Sequence, residues 1–120
     1  MITVVLVDDV REMRVLLRQL IELDGRLTVV GEAATGREAI EVVGREHPDA
    51  VILDQEMPEM TGTQALPELV RIVPPVVIVM YSSDPRIKTE EFALEAGAHA
   101  YFAKGDPVED VLDAVVALTS

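Results

Sequence analysis

Four short apolar runs, each followed by residues that can do chemistry, restrict the fold of this chain more than any other feature. They are nearly continuous in Val, Ile, Leu and Ala, as in parallel strands buried on both faces. In an open α/β sheet, ligands bind at the carboxyl ends of such strands, where the strand order reverses. The residues at the ends of the four runs, which would therefore meet at one edge, are Asp8 and Asp9, Asp54, Ser82 and Ser83, and Lys104.

Helical patterns alternate with strand patterns along the whole chain. Apolar spacing predicts a first helix over residues 11–23, and Gly97 fits a left-handed helix end. Thr35 and Thr61 open capping-box patterns, and Asp84 followed by Pro85 is typical of a helix start. The alternation predicts a doubly wound parallel sheet with right-handed crossovers. The predicted strands are 2–7, 27–30, 50–54, 76–81 and 98–103, and the later helices end near 46, 96 and 118.

Pro67 interrupts the third helical pattern. A proline inside a helix removes one hydrogen bond and destabilises it by roughly 3 kcal/mol. The pattern therefore predicts either a tolerated local kink or a helix whose regular part begins near Pro67.

Length and charge exclude several classes of function. The 120 residues are enough for one domain, spanning 1–120, with a substantial core. A net charge of −12 argues against nucleic-acid binding and against docking on an anionic membrane. No stretch has the roughly 20 apolar residues of a membrane span, and no signal peptide is visible. The absence of cysteine is compatible with the cytoplasm, which is the expected location.

The three carboxylates predicted at the sheet edge would repel one another. Either a cation lies among them or at least one pKa rises. A hard divalent cation with oxygen ligands resolves the conflict, and Mg²⁺ is the usual one where phosphate is handled. The residues therefore predict a Mg²⁺-assisted phosphoryl site with a carboxylate nucleophile.

Taken in order, these residues resemble a known family. The Asp8–Asp9 pair, the D-x-x-M-P-x-x-x-G stretch over residues 54–62, the hydroxyl after strand four and Lys104 after strand five are similar to a response regulator receiver domain. The resemblance covers essentially the full chain and implies a CheY-like, flavodoxin-like (βα)5 fold with strand order 2-1-3-4-5. Residues 31–36 and 96–101 look most like receivers that precede helix-turn-helix output domains.

The resemblance implies a role for each site residue. Asp54 would accept a phosphoryl group, and Lys104 would pair with Asp54 and then with the phosphoryl oxygens. Ser82 would hydrogen-bond a phosphoryl oxygen, although the adjacent Ser83 could take that part instead. Tyr101 is either a switch aromatic that swings inward or a half-buried side chain that only packs. Mg²⁺ would be held by Asp8, Asp9, Asp54 and the backbone carbonyl of Glu56.

Other readings of single residues remain. Asp9 could equally cap the following helix. His47 and His99 lack a metal-ligand pattern, and neither is expected to be a phosphoacceptor. Gly105 follows Lys104 where many receivers have Pro, so a trans bond and a differently held lysine are expected.

The resemblance also implies partners. A sensor histidine kinase or a phosphotransfer protein would donate the phosphoryl group. An output domain or partner protein would read the switch, and a phosphorylation-dependent homodimer is a further expectation. The chain would be no enzyme beyond its own phosphorylation and dephosphorylation.

Two alternatives of another class stay open. One is a receiver-like interaction module that works without phosphorylation, although such a module would be expected to lack one of the site residues. The other is a Mg²⁺ phosphohydrolase of the haloacid-dehalogenase type, which needs a second Asp where this chain has Glu56. No cap domain is expected within these 120 residues either.

Overall fold

The computed structural model describes residues 1–83 and 87–120, with side chains described except at 87–89. Five parallel strands form one sheet in the order β2-β1-β3-β4-β5, which confirms the predicted topology. The predicted helix start at Asp84 and Pro85 lies outside the described residues. The elements are β1 (Ile2–Val7), α1 (Arg11–Asp24), β2 (Leu27–Ala33), α2 (Gly36–Glu46), β3 (Ala50–Leu53), α3 (Gly62–Leu69), β4 (Val77–Ser82), α4 (Ile87–Glu95), β5 (Ala100–Ala103) and α5 (Val108–Thr119).

The two faces of the sheet carry separate core layers. Along β1, Val5 and Val7 belong to the layer that includes residues of α2 and α3. Val4 and Leu6 belong to the other layer, which includes residues of α1 and α5. Because all four side chains are at most 2% exposed, each contributes roughly 1.5–3 kcal/mol by leaving water. The apolar runs are continuous because both faces are buried.

Strand β2 is longer than predicted, and the expected end at residue 30 is wrong. It continues to Ala33, because Gly31, Glu32 and Ala33 pair with the last three residues of β1 after a register shift. Glycine and glutamate rarely favour strands, so here the pairing overrides local preference. A Cβ on Gly31 would lie 2.7 Å from Val42 Cγ1, so glycine is what lets α2 approach the sheet closely.

The ends of several other elements differ slightly from the sequence prediction. Strand β3 ends at Leu53, one residue before Asp54, and β4 is shifted to Val77–Ser82. Strand β5 begins at Ala100, because the Ala98 amide still bonds to the carbonyl of Ala93 in α4. Gly97 has the predicted positive φ, at 119°.

The helix starts follow their capping residues. The Thr35 hydroxyl accepts from the Glu38 amide, and Thr61 forms a complete capping box with Gln64. Helix α3 therefore begins at Gly62 and passes through the exposed Pro67, so the alternative start near Pro67 is wrong. None of the helices in the described part of the chain is long and apolar enough to cross a membrane.

The sheet places the predicted site at its carboxyl edge. Val7 pairs with Leu53 in the register of β1 and β3, so Asp8 and Asp54 follow neighbouring strand ends. Ser82 pairs with Ala103 in the register of β4 and β5, so Lys104 comes next to Ser82. Strand β1 lies between β2 and β3, which makes this the point where the strand order reverses.

Candidate functional site

An acidic cluster lies where the strand ends predicted it. Carboxylate oxygens of Asp8, Asp9 and Asp54 all lie within 4.8 Å of one another. Asp8 is 2% exposed and Asp54 is 3% exposed, whereas Asp9 is exposed to solvent. The arrangement brings two buried carboxylates and one exposed carboxylate to the same point. Their repulsion destabilises the folded state unless positive charge is present.

Asp8 is fixed from several directions. Its amide donates to the carbonyl of Ala33 at 3.0 Å, which ties it to the end of β2. Its Oδ1 accepts from the Val10 amide at 2.9 Å, and its Oδ2 accepts from Lys104 Nζ at 2.7 Å. The side chain therefore has little freedom to rotate.

Lys104 supplies the positive charge of the site. Its Nζ lies 3.6 Å from Asp54 Oδ1, which is the expected ion pair. It lies closer, at 2.7 Å, to Asp8 Oδ2, a partner that was not predicted. Burial of the ammonium would lower its pKa, but the hydrogen bond to Asp8 and the charge of Asp54 outweigh this, and the pKa is raised. Lys104 thus stays protonated. Its bond to Gly105 is trans, as expected.

Asp54 is the buried carboxylate of the cluster whose hydrogen bonding is incomplete. Burial raises its pKa to about 6, the charge of Asp8 adds to the rise, and Lys104 opposes it. Its Oδ1 is the one buried side-chain nitrogen or oxygen among the described residues that has no hydrogen-bond partner. Buried polar atoms are almost always hydrogen-bonded. This oxygen is therefore suited to an incoming electrophile or cation.

The loop after Asp54 is tightly packed against it. A Cβ on Gly62 would lie 2.3 Å from the Asp54 carbonyl oxygen, so no other residue fits there without a shift. The Gly62 amide donates to the Gln55 carbonyl at 2.9 Å, and the Gln55 side chain accepts from the Thr63 amide at 2.8 Å. Glu56 lies in this loop with its side chain exposed. The D-x-x-M-P-x-x-x-G spacing thus reflects a close turn.

The two predicted switch residues lie on the neighbouring strands. Ser82 is fully buried at the end of β4, and its carbonyl accepts from the Lys104 amide at 2.8 Å, while Ser83 is exposed. Tyr101 is half-buried and packs against the core layer that contains α2 and α3. This packing fits the reading of Tyr101 as a half-buried side chain that packs. The inward swing of Tyr101 stays a prediction.

Two residues that contact the site were missed from the sequence. Tyr81 is 4% exposed, and its hydroxyl donates to the Lys104 carbonyl at 3.3 Å; burial raises its pKa. Arg14 donates to the Asp8 carbonyl at 2.6 Å and to Glu32 at 3.0 Å. Alternation along β4 could have indicated Tyr81, but no sequence signal pairs Arg14 with a residue eighteen positions away.

The histidines are outside the site, as expected. His47 ends α2 with a φ of 48°. His99 Nδ1 accepts from the Ile78 amide near the start of β4, at the other end of the strand from Ser82.

Comparison with known proteins indicates the family of this chain. A family model described as the response regulator receiver domain matches residues 4–116. The uncharacterized transcriptional regulatory protein YhcZ of Bacillus subtilis is 37% identical over 109 residues, covering 91% of this chain and 51% of that protein. The response regulator protein VraR of Staphylococcus aureus is 32% identical over 114 residues, covering 95% and 54%.

A solved structure shows the same fold. The response regulator domain of Thermotoga maritima CheB superposes with a TM-score of 0.90 at 27% identity, covering 98% of this chain and 96% of that one. The chain spans about half the length of the two relatives named above, so their complete activities are not carried over. The family match over nearly the whole chain shows that it belongs to the response regulator receiver domains of two-component systems.

Proposed function

We propose that this chain is a phosphoacceptor switch, in which Asp54 receives a phosphoryl group from a sensor histidine kinase or a phosphotransfer protein. The observation that carries the proposal is the state of Asp54. It is a buried carboxylate with a raised pKa, an oxygen without a hydrogen bond and a lysine ammonium 3.6 Å away. Such a group is costly for a structural role and suited to a nucleophile.

The transfer step can be written with the incoming phosphodonor and the side chains of Asp54, Lys104 and Ser82. An Asp54 carboxylate oxygen attacks phosphorus, and the bond from phosphorus to the donor's leaving group breaks with its electron pair going to that group. The product is an acyl phosphate, a mixed anhydride that water can hydrolyse. Lys104 keeps its proton and balances the charge of the phosphoryl oxygens, and the Ser82 hydroxyl donates to one of them.

The acidic cluster fits a bound Mg²⁺. Asp8, Asp9 and Asp54 would hold it, together with the backbone carbonyl of Glu56, and a hard cation prefers these oxygen ligands. When bound, the cation neutralises charge that builds up on the phosphoryl oxygens.

The readout is proposed to be a population shift. Contact between Ser82 and the phosphoryl group would favour one of two arrangements around the end of β4, with Tyr101 moving inward. An output domain, a partner protein or a second copy would then recognise the changed surface. We expect no turnover of free substrates and no direct nucleic-acid contact from this acidic chain.

Intact-mass spectrometry after incubation with Mg²⁺ and acetyl phosphate tests the proposal. The wild-type chain should gain one phosphoryl group, Asp54→Asn should gain none, and Asp9→Ala should gain less because a cation ligand is lost. Equal labelling of the wild type and Asp54→Asn would disprove the assignment. Absence of labelling in the wild type would instead favour a module that works without phosphorylation.

An assay with small phosphate monoesters separates the remaining alternative. A phosphohydrolase would release many phosphates per chain, whereas the proposed switch would release none from these compounds.

A further inference from the structure

Arg14 connects the acidic cluster to the neighbouring strand. From the first turns of α1, its Nη1 donates to the Asp8 backbone carbonyl at 2.6 Å, and its Nε donates to Glu32 Oε1 at 3.0 Å. Glu32 lies in β2 and pairs with Leu6 of β1 in the sheet register. The Arg14 side chain is only 16% exposed, so one planar guanidinium spans two elements in a fixed orientation.

We propose that Arg14 is a positioning residue for the cation site, holding the peptide unit between Asp8 and Asp9 so that the Asp9 carboxylate faces the cluster. The inference rests on the proposed function, because it takes the cluster to be where Mg²⁺ binds. Arg14 touches no predicted ligand through a side-chain oxygen. It acts on the backbone from which one ligand projects.

Asp9 depends on such backbone support more than its neighbours do. Asp8 is held through its amide, its carbonyl and both carboxylate oxygens. Asp9 is exposed, and its side chain has no hydrogen bond to any residue that the structure describes. Its direction is therefore set mainly by the peptide that precedes it, and the carbonyl of that peptide is the one that Arg14 holds.

Glu32 keeps the guanidinium in place. It accepts from Arg14 and also from Arg18, whose Nη2 lies 2.6 Å from Oε2. Burial alone would raise the pKa of Glu32, but the hydrogen bonds from Arg18 and Arg14 outweigh it and the pKa is lowered. Glu32 is therefore ionised at neutral pH. Arg18 also binds Glu32, but of the two arginines only Arg14 donates to Asp8 as well.

This difference makes Arg18 a matched control. It also separates two explanations, because charge and positioning predict opposite changes in Mg²⁺ affinity when Arg14 is removed. A positive charge near the cluster repels Mg²⁺, so removing any nearby arginine should tighten cation binding if charge alone matters. Positioning predicts the opposite for Arg14. Its loss should weaken binding although repulsion falls, because outer contacts of this kind typically change metal affinity by about 10–100-fold.

The experiment titrates Mg²⁺ into the wild type, Arg14→Met and Arg18→Met, and follows binding by calorimetry. We expect Arg14→Met to bind Mg²⁺ about 10-fold more weakly. Arg18→Met should bind as tightly as the wild type or slightly more tightly. Hydrogen exchange of the Val10 amide, which donates to Asp8 Oδ1, should speed up without metal in Arg14→Met only. Equal effects of the two substitutions, or tighter binding by Arg14→Met, would overturn the proposal.

Arg14→Lys covers the case in which Arg14→Met does not fold. It keeps the charge, but a single ammonium cannot reproduce the fork that reaches both Asp8 and Glu32. Weakened Mg²⁺ binding is expected here too, and wild-type affinity would overturn the proposal. Failure of the proposed function looks different. In that case the wild-type chain itself would bind no Mg²⁺ at millimolar concentrations, and both ideas would fall.

Discussion

Replacing Asp54 with asparagine should stabilise the metal-free domain at neutral pH. Asp54 is 3% exposed, and its pKa is raised from 3.8 to about 6, first by burial and then by the charge of Asp8. A difference of roughly two pKa units corresponds to about 3 kcal/mol. The asparagine removes this charge, while Lys104 keeps its closer partner, Asp8, at 2.7 Å.

The pH dependence follows from the direction of the shift. The folded-state pKa lies above that of the unfolded chain, so the folded state binds more protons between about pH 4 and pH 6. Wild-type stability therefore falls as the pH rises through this window. Above it the full penalty of the charged Asp54 is present, and below it the carboxyl is protonated in both states. The advantage of Asp54→Asn should be greatest above pH 6 and vanish near pH 4.

Thermal unfolding in chelator from pH 4 to pH 8 measures this effect. For a domain of this size, about 3 kcal/mol corresponds to a rise of about 10 °C in Tm. Glu41→Gln is the control, because Glu41 is exposed on α2 and its replacement removes the same unit of negative charge. An Asp54→Asn protein that melts no higher than the wild type at pH 7.5, or that keeps its advantage at pH 4, would refute the reasoning.

Two further predictions concern packing and switching. Gly62→Ala should destabilise the fold by several kcal/mol because its Cβ would lie 2.3 Å from the Asp54 carbonyl, whereas Gly44→Ala, with open space at its Cβ, should stabilise α2 by about 0.5–1 kcal/mol in urea unfolding. Beryllofluoride with Mg²⁺ should change hydrogen exchange around Ser82 and Tyr101. The Ser82→Ala variant should still bind beryllofluoride, but hydrogen exchange around Tyr101 should not change. Changes confined to the acidic cluster in the wild type would contradict the switch.

Much of the fold was predictable because local signals and burial agree. The apolar runs mark strands buried on both faces, and hydroxyl caps such as Thr61 mark helix starts. Strand ends carry the acidic residues and Lys104, so parallel pairing alone brings them to one edge. Residue type and order therefore determined the fold class and the members of the acidic cluster.

Only the tertiary structure decided how those residues contact one another. Register placed Glu32 beside Leu6 and extended β2 to Ala33, against the local preference of its residues. Lys104 lies closer to Asp8 than to Asp54, and Arg14 reaches the Asp8 carbonyl. These partners depend on distances of a few ångströms between distant segments. Periodicity and caps report only near neighbours in the chain, so packing alone selects such contacts.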